Sequence, residues 1–156
     1  MSASISELKL AIPFKVGSEV QLDPSAFHAD TDLIFALEKL ATSFPCVEDR
    51  VLFRQGDPPA GLYILSQGEA AVSMNAGGDA VVFSCVATAG SLLGLPALIA
   101  NEPYSLTAVA RKGAIVGFIS QGEFTRMMQT ELPLMVKILQ VLAAEVRSAR
   151  LAIIQR

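Results

Sequence analysis

Between residues 51 and 119, apolar residues fall in short runs that glycine- and proline-bearing segments cut apart. The runs lie at 51–53, 61–65, 70–74, 80–86, 107–110 and 114–119. Between them stand Gln55-Gly56-Asp57-Pro58-Pro59, Ser66-Gln67-Gly68, Asn75-Ala76-Gly77-Gly78 and Arg111-Lys112-Gly113, whose residue types suit tight turns. Strands spaced about ten residues apart by such turns predict an antiparallel sandwich, jelly roll or barrel. No long helical period interrupts the series, which argues against a doubly wound parallel sheet.

On either side of this region the period lengthens. Leu33, Ile34, Leu37 and Leu40 predict a helix over 31–41, with Asp30 or Thr31 as its amino-terminal cap. A short helix is expected over 122–130. Pro133 then sits where a first helical turn tolerates it, and LMVKILQVLAAEVRSARLAIIQ runs on without Pro or Gly, predicting the longest helix. In it, Met135, Leu139, Leu142, Val146, Ala149 and Ile153 alternate steps of four and three, the spacing of a coiled-coil seam. A second row, Leu134, Ile138 and Val141, would pack on the β domain; the alternative is one wide apolar face buried within the chain. About 24 helical residues would extend about 36 Å, beyond a small β domain, so a second copy of the chain is expected to cover the far end in a two-fold dimer. The chain thus divides into an amino-terminal extension, 1–24, a β-roll with flanking helices, 25–131, and a dimerisation helix, 132–156.

The composition supports one packed core. Of 156 residues, 52% are hydrophobic and 17% charged, and the mean hydropathy is +0.49, which excludes a disordered chain. The net charge of −3 sets up no field attractive to nucleic acid. From residue 132 onward Lys137, Arg147, Arg150 and Arg156 face only Glu145, and their helical spacing reads as a solvated helix face. Glu7 and Lys9 interrupt any signal-peptide core, so a cytoplasmic protein is expected. The uncharged stretch 80–101 is broken by Gly90, Gly94 and Pro96 and begins with strand-forming Val81, Val82 and Phe83; a membrane span is not expected.

Candidate chemistry is sparse. Cys46, Cys85 and His28 cannot make a four-cysteine cluster or a zinc ribbon. G-x-S-x-G, G-x-x-x-x-G-K-[ST] and H-E-x-x-H are missing, and the carboxylate pairs Asp30/Asp32 and Glu48/Asp49 lie beside turns as caps and solvated loop. The expectation is a non-enzymatic protein without metal or cofactor.

Two strings carry a resemblance. Residues 51–72, VLFRQGDPPAGLYILSQGEAAV, with Gly56, Asp57, Gly61, Tyr63 and Gly68 at turn and strand positions, resemble the opening hairpins of the cyclic nucleotide-binding sensor domain of Crp/Fnr-type regulators. Residues 90–110, GSLLGLPALIANEPYSLTAVA, resemble its phosphate-binding cassette. The likeness covers about residues 32–155 and implies a mainly β fold with flanking helices: a double-stranded β-helix (jelly roll) followed by a long dimerisation helix. In such a cassette a glycine turn and a short helix aim backbone amides at the phosphate, an arginine pairs with its charge, and a glutamate accepts from the ribose hydroxyl.

Nucleotide-binding members read roughly Phe-Gly-Glu-(Leu/Ile)-Ala-Leu, then Pro-Arg-Ala-Ala-Thr. Here the chain reads Leu93-Gly94-Leu95-Pro96-Ala97-Leu98, then Pro103-Tyr104-Ser105-Leu106-Thr107. Leu95 stands at the glutamate position and Tyr104 at the arginine position. Hydrogen bonds to charged groups contribute about 1.5–3 kcal/mol each, so their loss predicts no tight binding of cyclic AMP or cyclic GMP. Pro96 removes a further amide. The resemblance nominates Leu93, Gly94, Leu95, Ala97, Tyr104, Ser105 and Thr107 as ligand-binding positions. With Leu92 and Leu98 around them, they form either an apolar pocket for another small molecule or filled core, and filled core is expected. Any residual anion contact would come from the Gly94 and Ala97 amides and the Ser105 or Thr107 hydroxyl.

The resemblance further implies a regulatory module: a homodimer, an unidentified small-molecule effector, and DNA contact only through a domain beyond residue 156. The alternative is a stand-alone sensor or interaction scaffold on the same fold.

Overall fold

The computed structural model describes residues 20–21, 24–76 and 81–154; side chains are described for 24–76 and 81–148. The chain runs β1 (Val20–Gln21), a 3-10 turn (Pro24–Phe27), α1 (Thr31–Glu38), β2 (Thr42–Pro45), β3 (Arg50–Phe53), β4 (Gly61–Gln67), β5 (Glu69–Asn75) and β6 (Val81–Thr88). It continues through β7 (Ser91–Leu93), α2 (Leu95–Ala100), β8 (Thr107–Ala110), β9 (Ile115–Ser120), α3 (Gln121–Thr130) and α4 (Leu132–Ile154).

The strands form two facing sheets, ordered β1-β6-β5-β8-β3 and β2-β9-β4-β7. Every pairing is antiparallel except that of β1 with β6. This is the jelly roll with flanking helices and a long carboxy-terminal helix that the sequence predicts. Of the amino-terminal extension, 1–24, only Val20, Gln21 and Pro24 fall within the described residues.

Each strand's alternation decides what its two faces meet. On β4, Leu65 faces the roll interior with Tyr63 packed against it, whereas Leu62 and Ile64 face a second cluster under the helices. Both faces of this sheet are covered, which explains the unbroken apolar run from Leu62 to Leu65. Facing it, Ala70, Ala87, Ala108 and Ala110 are fully buried on the inner surface of the other sheet. Such small side chains let the sheets approach closely.

The helix layer draws Leu33 and Leu37 of α1, Leu95 and Leu98 of α2, Phe124 and Met127 of α3, and Ile138 and Val141 of α4 into one cluster. Asp30 fastens two of its members. One carboxylate oxygen accepts the Leu33 amide at 2.7 Å as the α1 cap, and the other takes Lys137 Nζ of α4 at 2.7 Å. The Lys137 hydrogen bond, more than any other contact, holds the Asp30 carboxyl below its ordinary range and raises the lysine in turn.

The structure departs from the sequence reading in four places. β1 lies within the amino-terminal extension, where no element is expected, and pairs in parallel with β6. The first helix ends at Glu38 rather than near Ala41, because Lys39 already caps it. β2 was not expected; with one half-buried apolar residue, Phe44, and a terminal Pro45, it carries little strand signal, and as the edge strand of its sheet it tolerates the proline. β7, three buried residues between Gly90 and Gly94, shows no alternation from which a strand could be read.

On α4, Leu132, Val136, Leu139 and Val146 are exposed. Within the expected seam, then, Leu139 and Val146 face solvent, Met135 is half-buried, and Leu142 packs against the helix cluster. The side chains of Ala149 and Ile153 lie outside the described residues. Among the described residues no helix is long and apolar enough to cross a membrane.

Candidate functional site

The cassette is built where β7 meets α2. Gly94 makes the turn with φ +93°, a conformation that side-chain-bearing residues rarely adopt. A Cβ there would lie 2.8 Å from Cε1 of Tyr104. The tyrosine ring thus occupies the space in front of the glycine turn. It stacks on Phe53 with ring centroids 4.0 Å apart and planes 15° from parallel, and Phe53 in turn meets Tyr63 at 5.7 Å.

The Tyr104 hydroxyl is satisfied within the chain. It accepts the amides of Ala60 and Gly61 at 3.0 Å each and donates to the Gly61 carbonyl at 2.7 Å. Its backbone takes the Gly56 amide at 2.8 Å and gives its own amide to the Asp57 carbonyl at 2.9 Å. The 54–61 loop is therefore strapped over the cassette, with Asp57 capping the Arg54 amide at 3.1 Å and Thr107 Oγ1 taking the Gln55 amide at 2.9 Å. Tyr104 is 3% exposed; it is a core residue that closes the cradle.

Of the nominated positions, Gly94, Ala97, Tyr104 and Ser105 do surround one cavity, together with Phe53, Pro96, Leu106 and Glu145. That cavity has a volume of about 10 Å³, at the limit of holding one water. The other three positions are elsewhere. Leu93 faces the roll interior, Leu95 packs into the helix cluster, and the Thr107 hydroxyl is engaged by Gln55. Leu95 thus stands at the glutamate position but turns away from the cradle. His28 bonds Thr88 Oγ1 at 2.7 Å on the surface, and Cys46 and Cys85 are buried in the roll.

A larger space opens beside the closed cradle. Ala26 and Phe27 of the 3-10 turn, Met74 and Phe83 of β5 and β6, Pro96, Ser105 and Leu106, and Glu145, Val146 and Ser148 of α4 surround about 210 Å³. Glu145 lines both spaces. Its Oε2 is buried without a hydrogen-bond partner, while the rest of the residue is only partly covered. Burial alone pushes its carboxyl up to about 8, because a carboxylate there would lose its hydration without a compensating charge. Its signal was present in the sequence: Leu134, Ile138 and Val141 step by four and three, and the next member of that inward row is residue 145.

The sequence pattern of the cyclic nucleotide-binding domain family matches residues 46–131, more than half of the chain. The chain belongs to the cyclic nucleotide-binding domain family. No curated protein matches it in sequence. Among solved structures, the domain is similar to the Thermus thermophilus catabolite activator protein, with TM-score 0.64 and 22% identity over 83% of this chain and 61% of that one. It is similar also to the c-di-GMP-responsive global regulator CLP of Xanthomonas campestris, with TM-score 0.62 and 20% identity over 81% and 62%. The amino-terminal domain of a Streptomyces coelicolor transcriptional regulator matches with TM-score 0.59 and 17% identity over 81% and 91%. The chain therefore spans about three-fifths of the first two proteins (61% and 62%).

Tyr104→Phe orphans two amides and a carbonyl; we expect urea unfolding to show a loss of about 1–3 kcal/mol, and an unchanged stability contradicts the clamp. Glu145 holds in the folded state a proton that the unfolded chain releases near 4.5. Its contribution to stability is therefore complete at low pH, falls as pH rises from about 4.5 to about 8, at up to about 1.4 kcal/mol per unit, and is level above. Unfolding at a series of pH values checks this: Glu145→Gln lacks that slope and gains on the parent toward pH 8, whereas parallel curves contradict it.

Proposed function

We propose that this domain is a non-enzymatic regulatory sensor whose cassette does not hold cyclic AMP or cyclic GMP tightly. The observation that carries the reading is the Tyr104 clamp. The ring fills the space in front of the Gly94 turn, its hydroxyl occupies the amides of the strapped loop, and about 10 Å³ remains at the cradle, against about 300–1,000 Å³ for ordinary ligand pockets. Leu95 offers no acceptor to a ribose. The cavity beside Glu145 favours a sensor over a pure scaffold, since it is built from the same β-roll and α4.

The exposed row Leu132, Val136, Leu139 and Val146 supports a homodimer in which α4 meets its copy. In that dimer an effector at the α4 cavity alters how the two helices meet, Val146 belonging to both surfaces. We read the module as cytoplasmic.

Two measurements test the reading. Millimolar cyclic AMP or cyclic GMP should leave the melting temperature unchanged, whereas saturation at 100 times the dissociation constant would add about 2.7 kcal/mol; a rise of several degrees contradicts an occluded cassette. Leu139→Lys, on an exposed position where folding tolerates it, should convert dimers to monomers in sedimentation. An unchanged dimer contradicts pairing through α4.

A further inference from the structure

The space of about 210 Å³ between the 3-10 turn, the β-roll and α4 has an apolar lining interrupted by Ser105, Ser148 and Glu145, whose carboxyl has one oxygen, Oε2, buried without a hydrogen-bond partner. A carboxyl on the inward row of a packed helix costs stability unless something supplies its partner. None of the described residues lining this space carries a positive charge. An anionic ligand would find no counter-charge among them.

A cation would find its counter-charge there. It would also find the rings of Phe27 and Phe83, whose faces attract ammonium groups. A cavity of 150 Å³ lined by apolar side chains accommodates benzene, so the space here fits a single ring with a short chain. We propose that this cavity is a binding site for a small monocationic amine with an apolar body, held by a charge pair with Glu145. The inference rests on the sensor reading above and names the ligand class of that module.

Binding has a proton signature. At pH 7 the free Glu145 is mostly protonated, given a carboxyl raised to about 8, and an alkylammonium stays charged, as lysine does. Forming the pair therefore expels the carboxyl proton to solvent while the ammonium keeps its own. Affinity then rises about tenfold per pH unit up to the neighbourhood of 8 and levels beyond.

The test is calorimetric titration of the full chain with 2-phenylethylamine, its neutral analogue 2-phenylethanol, and cyclic AMP, in buffers of different ionisation enthalpy. The amine is expected to bind one per chain with release of about one proton at pH 7, and the alcohol at least about tenfold more weakly without proton release. Glu145→Gln should abolish the proton release and cost the amine at least about tenfold while leaving the alcohol's affinity in place, which also reports that the cavity is intact. Equal affinity for amine and alcohol, amine binding unaffected by Glu145→Gln, or no binding of either molecule overturns the inference and leaves the sensor reading standing. Tight binding of cyclic AMP instead overturns the sensor reading itself.

Discussion

Tyr104 closes the cradle between β7 and α2. One phenol carries three hydrogen bonds to Ala60 and Gly61 while its ring lies on Phe53 and against Gly94. The rest of the site depends on it. The 54–61 loop is ordered over the cassette because its amides and carbonyls end on this residue, and Gly94 remains glycine because a Cβ would strike the ring. The ring stands in front of the Gly94 turn and its hydroxyl is held by Ala60 and Gly61, so an incoming phosphate must displace a buried aromatic ring and break internal hydrogen bonds before it gains any of its own.

Closing one space leaves another to α4. The helix uses Ile138 and Val141 to fix itself to the helix cluster and Lys137 to reach the α1 cap, and its next inward position brings Glu145 over the gap beside the cassette. The outward positions Leu132, Val136, Leu139 and Val146 stay uncovered. A single helix thereby borders the core, a cavity and an apolar surface, and a change at the second has a short physical path to the third through Val146.

The fold was legible in the sequence wherever burial is one-sided or flanked by strong turn signals. Strands β3, β4, β5, β6, β8 and β9 announce themselves as apolar runs between turn segments, and helices α1 and α4 by their period. β2 and β7 do not, since one is an exposed edge ending in proline and the other is too short and too evenly buried to alternate. At the site, the substitutions Leu95 and Tyr104 were visible as departures from the family's pattern, but their consequences differ. Tyr104 fills the cradle, whereas Leu95 faces the opposite side of the sheet and joins the helix core, a distinction that only the direction of each side chain reveals. Glu145 reads in the sequence as one acid among surface charges, although the row from Leu134 through Val141 points to it.

The most direct test of this account is a crystal structure grown in millimolar cyclic AMP. The account predicts the Tyr104 ring still stacked on Phe53, its hydroxyl on the Ala60 and Gly61 amides, and no nucleotide at Gly94. Density for an intact cyclic nucleotide against Gly94, with Tyr104 swung out of the cradle, would contradict it.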